Sequence, residues 1–254
     1  MLVAERHQKI VEIVNERKSI RVTELGKIFS VTDETIRRDL EKLESENKLA
    51  RSHGGAVYIE MTKETPEVPY SEREITHVFE KKEIAREAIM HITEGDKIIL
   101  DASTSAWYMA KILPDIPLTV VTNSIKVAME LSNKSNITVI SAGGTLLTRS
   151  LSFVGPLAES SIDGYHVNKA FISCKGLHLE NGLSESNEQQ ARVKKKMMDI
   201  ADLVYILVDH NKFGVQAFAH VSDLDSIGHI ITDNDANEDI INQIKEKSLN
   251  IIRV

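Results

Sequence analysis

The chain has 254 residues, 42% of them apolar and 27% charged, the composition of a soluble globular protein with room for a small and a medium domain. A single cysteine, Cys174, excludes a disulfide framework, and no apolar run approaches the ~18 residues of a membrane span. The net charge of −7 argues against a broadly basic nucleic-acid surface. It is unevenly spread, however: residues 1–59 carry 11 Lys/Arg against 10 Asp/Glu, and the remainder 20 against 28.

In chain order, the charges inside MLVAERHQKIVEIV predict no secretion signal, so a cytoplasmic location is expected. Ile10, Val11, Ile13 and Val14 have amphipathic spacing and predict a helix over Ala4–Asn15. A short second helix is expected over Val22–Ser30, with Thr23 as its N-cap. After the break at Ser30-Val31 a third helix begins at Thr32, whose hydroxyl can cap free N–H groups; Ile36, Leu40 and Leu43 form its apolar stripe. Lys48–Tyr58 reads as two strands about a Gly54-Gly55 turn. Residues 59–75, with two prolines and many charges, read as a linker between domains at 1–58 and 76–254.

Beyond the linker, β-rich runs alternate with helical segments. Strands are expected at Lys97–Leu100, Leu118–Thr122, Ile137–Ile140, Lys169–Ser173, Leu203–Val208, Ser226–Ile231 and Asn250–Arg253. Helices are expected at Lys81–His91, Ala106–Leu113, Ile125–Leu131, Glu188–Ala201 and Glu238–Glu246. This alternation predicts an α/β fold with a mostly parallel sheet covered on both faces.

Two short helices, a tight turn, a third helix carrying Arg37 and Arg38, and a β-hairpin suit a winged helix-turn-helix reading the major groove. Thr32, Thr35, Arg37 and Arg38 lie on or beside the reading helix, and Arg51, His53 and Gly54 on the wing. A structural alternative pairs Arg38 with Glu34 one turn earlier. Asp39 reads as a structural partner for an arginine.

Ligands of parallel sheets bind outside the carboxyl ends of the strands. Polar or glycine-rich clusters follow six of the expected strands, among them Asp101 with Ser103-Thr104-Ser105, Asn123, Gly143-Gly144, Lys175-Gly176 and Lys212. Hydroxyls and helix-start N–H groups at 103–105 suit an anion, Lys175 and Lys212 supply positive charge, and Asp101, Asn123 and Glu185 offer acceptors for sugar hydroxyls. Turn and capping chemistry is the alternative for each cluster alone. The run Arg192-Val-Lys-Lys-Lys196 reads as a solvated helix face from which Arg192 or Lys195 reaches a phosphate. Nine histidines show no paired ligand spacing and no nucleophile elbow is present, so neither metal nor cofactor is expected. Trp107 and Tyr108 read as core or interface, and Cys174 as a small residue lining the pocket.

The segments V31-T-D-E-T-I-R-R-D-L40 and R51-S-H-G-G-A56 closely resemble the reading helix and wing of the DeoR family of bacterial transcriptional regulators. D101-A-S-T-S105, V120-V-T-N123, A142-G-G144, D209-x-x-K212-F213-G214 and I231-T-D233 resemble that family's effector domain, in order. Ser103 departs from the glycine usual there. The resemblance implies a sensing domain similar to sugar-phosphate isomerases, operator DNA and a phosphorylated sugar as partners, a dimer or tetramer, and repression relieved by the sugar. A sugar-phosphate enzyme with a DNA-binding appendage, and a constitutive DNA binder with an oligomerising domain, are the rival readings.

Overall fold

The computed structural model describes residues 3–45, 49–52, 54–57 and 67–254. The chain forms two compact units, Met1–Thr62 and Lys63–Val254.

The first unit contains α1 (Val3–Arg17), β1 (Ser19–Arg21), α2 (Val22–Phe29), α3 (Asp33–Ser45), β2 (Ala50–Ser52) and β3 (Gly55–Val57). Its core gathers Ile10, Val14, Leu25, Ile36, Leu40 and Leu43 from the expected helical stripes, with Leu49 and Ala56 added from outside the helices. Ser30 takes the left-handed conformation, φ 54°, which ends α2 and turns the chain into α3. Strand β1 was not expected: its three residues carry no readable periodicity. It pairs with β3 in an antiparallel sheet ordered β1-β3-β2. At Gly55 a Cβ would stand 2.2 Å from the Ile20 carbonyl oxygen, so the wing passes β1 only as glycine. The Thr23 cap is corrected. Helix α2 starts one residue earlier, and the Val22 N–H donates to the Gly54 carbonyl at 2.9 Å.

The second unit opens with α4 (Tyr70–Ile75) and α5 (Val78–Met90). Next come β4 (Lys97–Leu100), α6 (Thr104–Ile112), β5 (Leu118–Thr122), α7 (Ile125–Leu131), β6 (Ile137–Ser141), β7 (Thr145–Leu147), β8 (Ser152–Val154) and α8 (Pro156–Asp163). The chain continues through β9 (Val167–Ile172), β10 (Gly176–His178), β11 (Gly182–Glu185), α9 (Glu188–Asp199) and β12 (Ala201–Leu207). It ends with β13 (Ala219–Ser222), β14 (His229–Thr232), α10 (Glu238–Glu246) and β15 (Asn250–Arg253).

Seven strands form a wholly parallel sheet ordered β15-β14-β12-β9-β4-β5-β6. Alternate residues of each strand serve opposite faces. Ile98, Leu100, Tyr205 and Leu207 pack with α5, α6 and α7, whereas Ile99, Val204 and Ile206 pack with α8, α9 and α10. The strand order reverses between β4 and β9, the switch point where parallel sheets open a crevice. Strands β10, β11 and β13 form a small antiparallel sheet, and β7 and β8 a hairpin.

Two expectations need correction here. Residues 70–75 are not linker but helix α4: Tyr70 is buried with its ring edge-on to Trp107 at 6.5 Å, and its N–H donates to the Arg149 carbonyl at 2.8 Å. The prolines and charges around it resemble a linker locally, but burial of one aromatic ring outweighs them. The strand expected at 226–231 runs instead from His229 to Thr232, because Leu224–Ser226 makes a tight helical turn first.

Candidate functional site

A cleft of about 260 Å³ opens at the switch point. Its floor is built by loops following β4, β9 and β12, which supply Ser103-Thr104-Ser105, Ser173-Cys174-Lys175 and Asp209 with Asn211 and Lys212. Ser103 caps α6, its hydroxyl accepting from the Ala106 N–H at 3.0 Å. The first N–H groups of a helix have no acceptor within it, so the Thr104 end of α6 offers donors and positive potential to an anion.

Beneath this floor, the fully buried Asp101 ties two loops together. It accepts from the Ser103 N–H at 3.1 Å and the Ser173 N–H at 3.0 Å. Lys194, on the inner face of α9, lies 3.0 Å from Asp101 and 2.6 Å from Glu185, and also donates to the Ser173 carbonyl. Burial works against the Lys194 ammonium, but Asp101 and Glu185 outweigh it and hold the group more firmly protonated than free lysine.

The cleft mouth is cationic. Lys81 donates to the carbonyls of Arg73 and Thr76, each at 2.6 Å, and burial followed by repulsion from Lys212 lowers its pKa to about 8. Burial and Lys212 also depress Lys175. With Arg73 on the same rim, these cations crowd one another, and a bound anion would relieve that repulsion. Burial pushes the Cys174 thiol up to about 12, so it is a packed thiol and not a poised thiolate.

Of the residues singled out in the sequence, Ser103, Thr104, Ser105, Lys175, Glu185 and Lys212 line the cleft, and Asp101 lies under it. Four do not line it. Asn123 donates to the Phe153 carbonyl at 3.0 Å and receives the Phe153 N–H, pinning the β7–β8 hairpin. Gly143 is exposed with open space around it; Gly144 has φ 121° and passes the Val154 carbonyl so closely that a Cβ would stand 2.6 Å from it. Gly176 lies behind the cleft, where a Cβ would meet the Val215 carbonyl oxygen at 2.2 Å. Arg192 pairs with Glu188 on the exposed face of α9 and Lys195 is exposed, so the inward residue of that run is Lys194. Sequence reasoning missed Lys194 together with Glu67, Arg73, Thr76, His77 and Lys81. A signal existed for Lys194: it shares a helical stripe with Ala191, Met197 and Met198.

In the first unit, Thr32 sits at the start of α3, its hydroxyl accepting from the Thr35 N–H at 3.3 Å and meeting the Thr35 hydroxyl at 2.9 Å. Arg37 and Arg38 project outward, 4.0 and 3.6 Å from Glu34. Ion pairs this exposed contribute about 0–1 kcal/mol, so either arginine can exchange Glu34 for a phosphate or a guanine edge at little cost. Asp39 faces the other way: it is buried and accepts from Arg6 at 2.7 and 3.1 Å, with the His7 ring 2.8 Å away, locking α1 onto α3. The Arg51 N–H donates to Glu44 at 2.8 Å and its guanidinium lies 3.5 Å from Glu41, which ties the wing to α3. Gly54, φ 97°, makes the wing turn; His53 lies outside the described residues.

A winged helix-turn-helix with an outward pair of arginines, joined to a parallel-sheet unit, defines a DNA-binding transcriptional regulator. Residues 6–62 match the DeoR-like helix-turn-helix domain and residues 76–234 the DeoR C terminal sensor domain. The chain belongs to the DeoR family. It is 59% identical to the uncharacterized HTH-type transcriptional regulator YulB of Bacillus subtilis, over all of this chain and 98% of that one. It is 38% identical to the L-fucose operon activator of Haemophilus influenzae, over 90% of this chain and 91% of that one. Among solved structures, ribose 5-phosphate isomerase A of Methanocaldococcus jannaschii aligns over 52% of this chain and 53% of its own, at 17% identity and a TM-score of 0.39. No helix among the described residues is long and apolar enough to cross a membrane.

Proposed function

We propose that this protein is a cytoplasmic repressor of a carbohydrate operon, and that a phosphorylated sugar entering the cleft of the second unit releases it from its operator. The observation that carries the reading is the convergence of Lys81, Lys175, Lys212 and Arg73 with the start of α6 on one small cleft at the switch point of the sheet. That combination fits a phosphate, while Glu185, Ser186 and Asn211 offer partners for hydroxyls. The name of the Haemophilus influenzae relative supports a carbohydrate operon as the target. Repression needs no surface beyond the one that binds DNA, and in vitro transcription decides its sign.

Sensing is favoured over turnover. Asp101 and Glu185 are both ion-paired with Lys194, an arrangement that suits a fixed binding floor. On DNA, Arg37 and Arg38 would read bases or grip phosphates, Thr32 and Thr35 would position the helix, and Arg51, His53 and Gly54 would place the wing. Half-sites separated by whole helical turns would require two copies or more. The test is an operator gel shift titrated with phosphorylated sugars, run beside turnover assays. One sugar phosphate should release wild-type protein, and Lys212→Ala should bind DNA normally but resist release. If no sugar phosphate changes operator affinity, or one is converted catalytically, the reading is wrong.

A further inference from the structure

Residues 67–76 are the first described residues of the second unit, and they supply one wall of the cleft through Glu67, Val68, Arg73 and Thr76. Its charges are unusual for an anion site. Arg73 is anchored by its Nε, which donates to the Val68 carbonyl at 3.1 Å, yet its Nη2 is buried and has no hydrogen-bond partner among the described residues. The nearest carboxylate oxygen, on Glu67, lies 3.8 Å from that nitrogen, too far for a hydrogen bond. Glu67 is itself held in place: Gln190 on α9 donates to its carboxylate at 2.5 Å, and Arg149 donates to its carbonyl.

A buried guanidinium nitrogen without an acceptor is costly, and its position on the rim fits an acceptor that arrives with the ligand. Glu67 meanwhile puts a negative charge into the wall of a site whose other charges favour an anion. We infer that Glu67 is a built-in competitor for the effector: it partly neutralises the cationic rim when the cleft is empty, and a bound phosphate takes over Arg73 and expels it. The inference rests on the reading of the cleft as an anion site and adds the residue that sets its affinity.

The consequence for control is direct. Glu67 cannot leave without loosening its bond to Gln190 and pulling on the strap between it and Tyr70, whose N–H is held by the Arg149 carbonyl. Occupancy is thereby coupled to the strap, and by reciprocity whatever fixes the strap in its empty-cleft position weakens effector binding.

The test uses the full chain and two probes, inorganic phosphate and ribose 5-phosphate, titrated calorimetrically into wild type, Glu67→Gln, Glu67→Ala and Lys212→Ala at one pH and ionic strength. Glutamine is nearly isosteric and retains an acceptor for Gln190, so the fold is preserved; alanine repeats the test without that acceptor. Both Glu67 variants should bind the phosphates about tenfold more tightly than wild type, the scale of one unfavourable charge contact at a partly buried site. In wild type, phosphate should also speed hydrogen exchange at the Tyr70 amide. Equal or weaker binding by both Glu67 variants, while Lys212→Ala abolishes binding, overturns the competitor and leaves the anion site standing. No phosphate binding by any of the proteins overturns both.

Discussion

Replacing Lys194 by methionine tests how the floor of the cleft is built. The ammonium sits between two carboxylates at 3.0 and 2.6 Å, with Asp101 fully buried and Glu185 nearly so. At an effective dielectric of ~20, each such contact is an attraction of roughly 5–6 kcal/mol, most of which offsets the cost of burying three charges. Methionine keeps the packing of the stem but leaves Asp101 and Glu185 facing each other without a cation. Unpairing buried charges in this way costs about 3–5 kcal/mol, and at roughly 2–4 °C per kcal/mol the melting temperature of the second unit should fall by about 10 °C. The loss should depend on pH. One carboxylate of the variant takes up a proton, so its folded pKa rises above its unfolded value of about 4. The deficit is therefore largest at pH 7–8 and shrinks as pH falls through that raised value. Thermal melts of wild type and variant at pH 8 and pH 5.5 measure this directly. A loss below about 2 °C, or the same loss at both pH values, would show that the three charges are not coupled as argued.

Three further outcomes are expected. Asp39→Ala leaves Arg6 and His7 buried without their acceptor and should destabilise the first unit by about 2–4 kcal/mol, read by a melt of that unit together with loss of operator binding. Burial raises the Asp39 pKa, but bonds from Arg6 and His7 overcome it and hold the carboxyl below its ordinary 3.8, so this stabilisation is present above pH 3.8 and is lost as pH drops through the depressed value. Gly176→Ala would drive a Cβ to 2.2 Å from the Val215 carbonyl and should cost about 1–3 kcal/mol while displacing Val215 from the cleft; a melting temperature equal to wild type would contradict it. At His210, burial opposes the charge, yet Asp233 at 2.8 Å raises the pKa above 6.5. The pair therefore contributes stability below pH 6.5 that is lost as pH rises through the elevated value, and an NMR titration of the ring in wild type and Asp233→Asn should show the pKa fall in the variant.

All seven strands of the large sheet could be located in the sequence, since strands covered on both faces are nearly continuous apolar runs such as Ile98–Leu100 and Val204–Val208. Among the short strands, β2 and β3 were marked by the Gly54-Gly55 turn between them, whereas β1, β7, β8, β10, β11 and β13 could not be located, because alternation over three or four positions is indistinguishable from loop composition. Helix α8 escaped for a related reason: Pro156 and Gly155 mark a turn, and few large apolar residues follow. At the cleft, the strand-following clusters at 103–105, Lys175 and Lys212 were readable because strand ends position them. Arg73 and Lys81 were not: each comes from a helix, where a cation ordinarily points to water, and only tertiary packing turns Lys81 inward. Lys194 was legible only through the buried stripe it shares with Ala191, Met197 and Met198. Asn123 and Gly144 occupy the expected rim, but the β7–β8 hairpin claims the first and close packing against Val154 the second.

The wall formed by Glu67–Thr76 has a practical corollary for dissecting the molecule. The sensor-domain match begins at residue 76. A fragment cut there would discard the Tyr70 ring that fills the space beside Trp107, the Arg73 guanidinium, and the carbonyl of Arg73 that holds the Lys81 ammonium. Such a fragment would keep the seven-stranded sheet but lose the wall that Glu67, Val68 and Arg73 lend to the cleft, so binding measured on it would not represent the intact cleft. Fragments meant to report ligand preference should therefore begin upstream of Glu67.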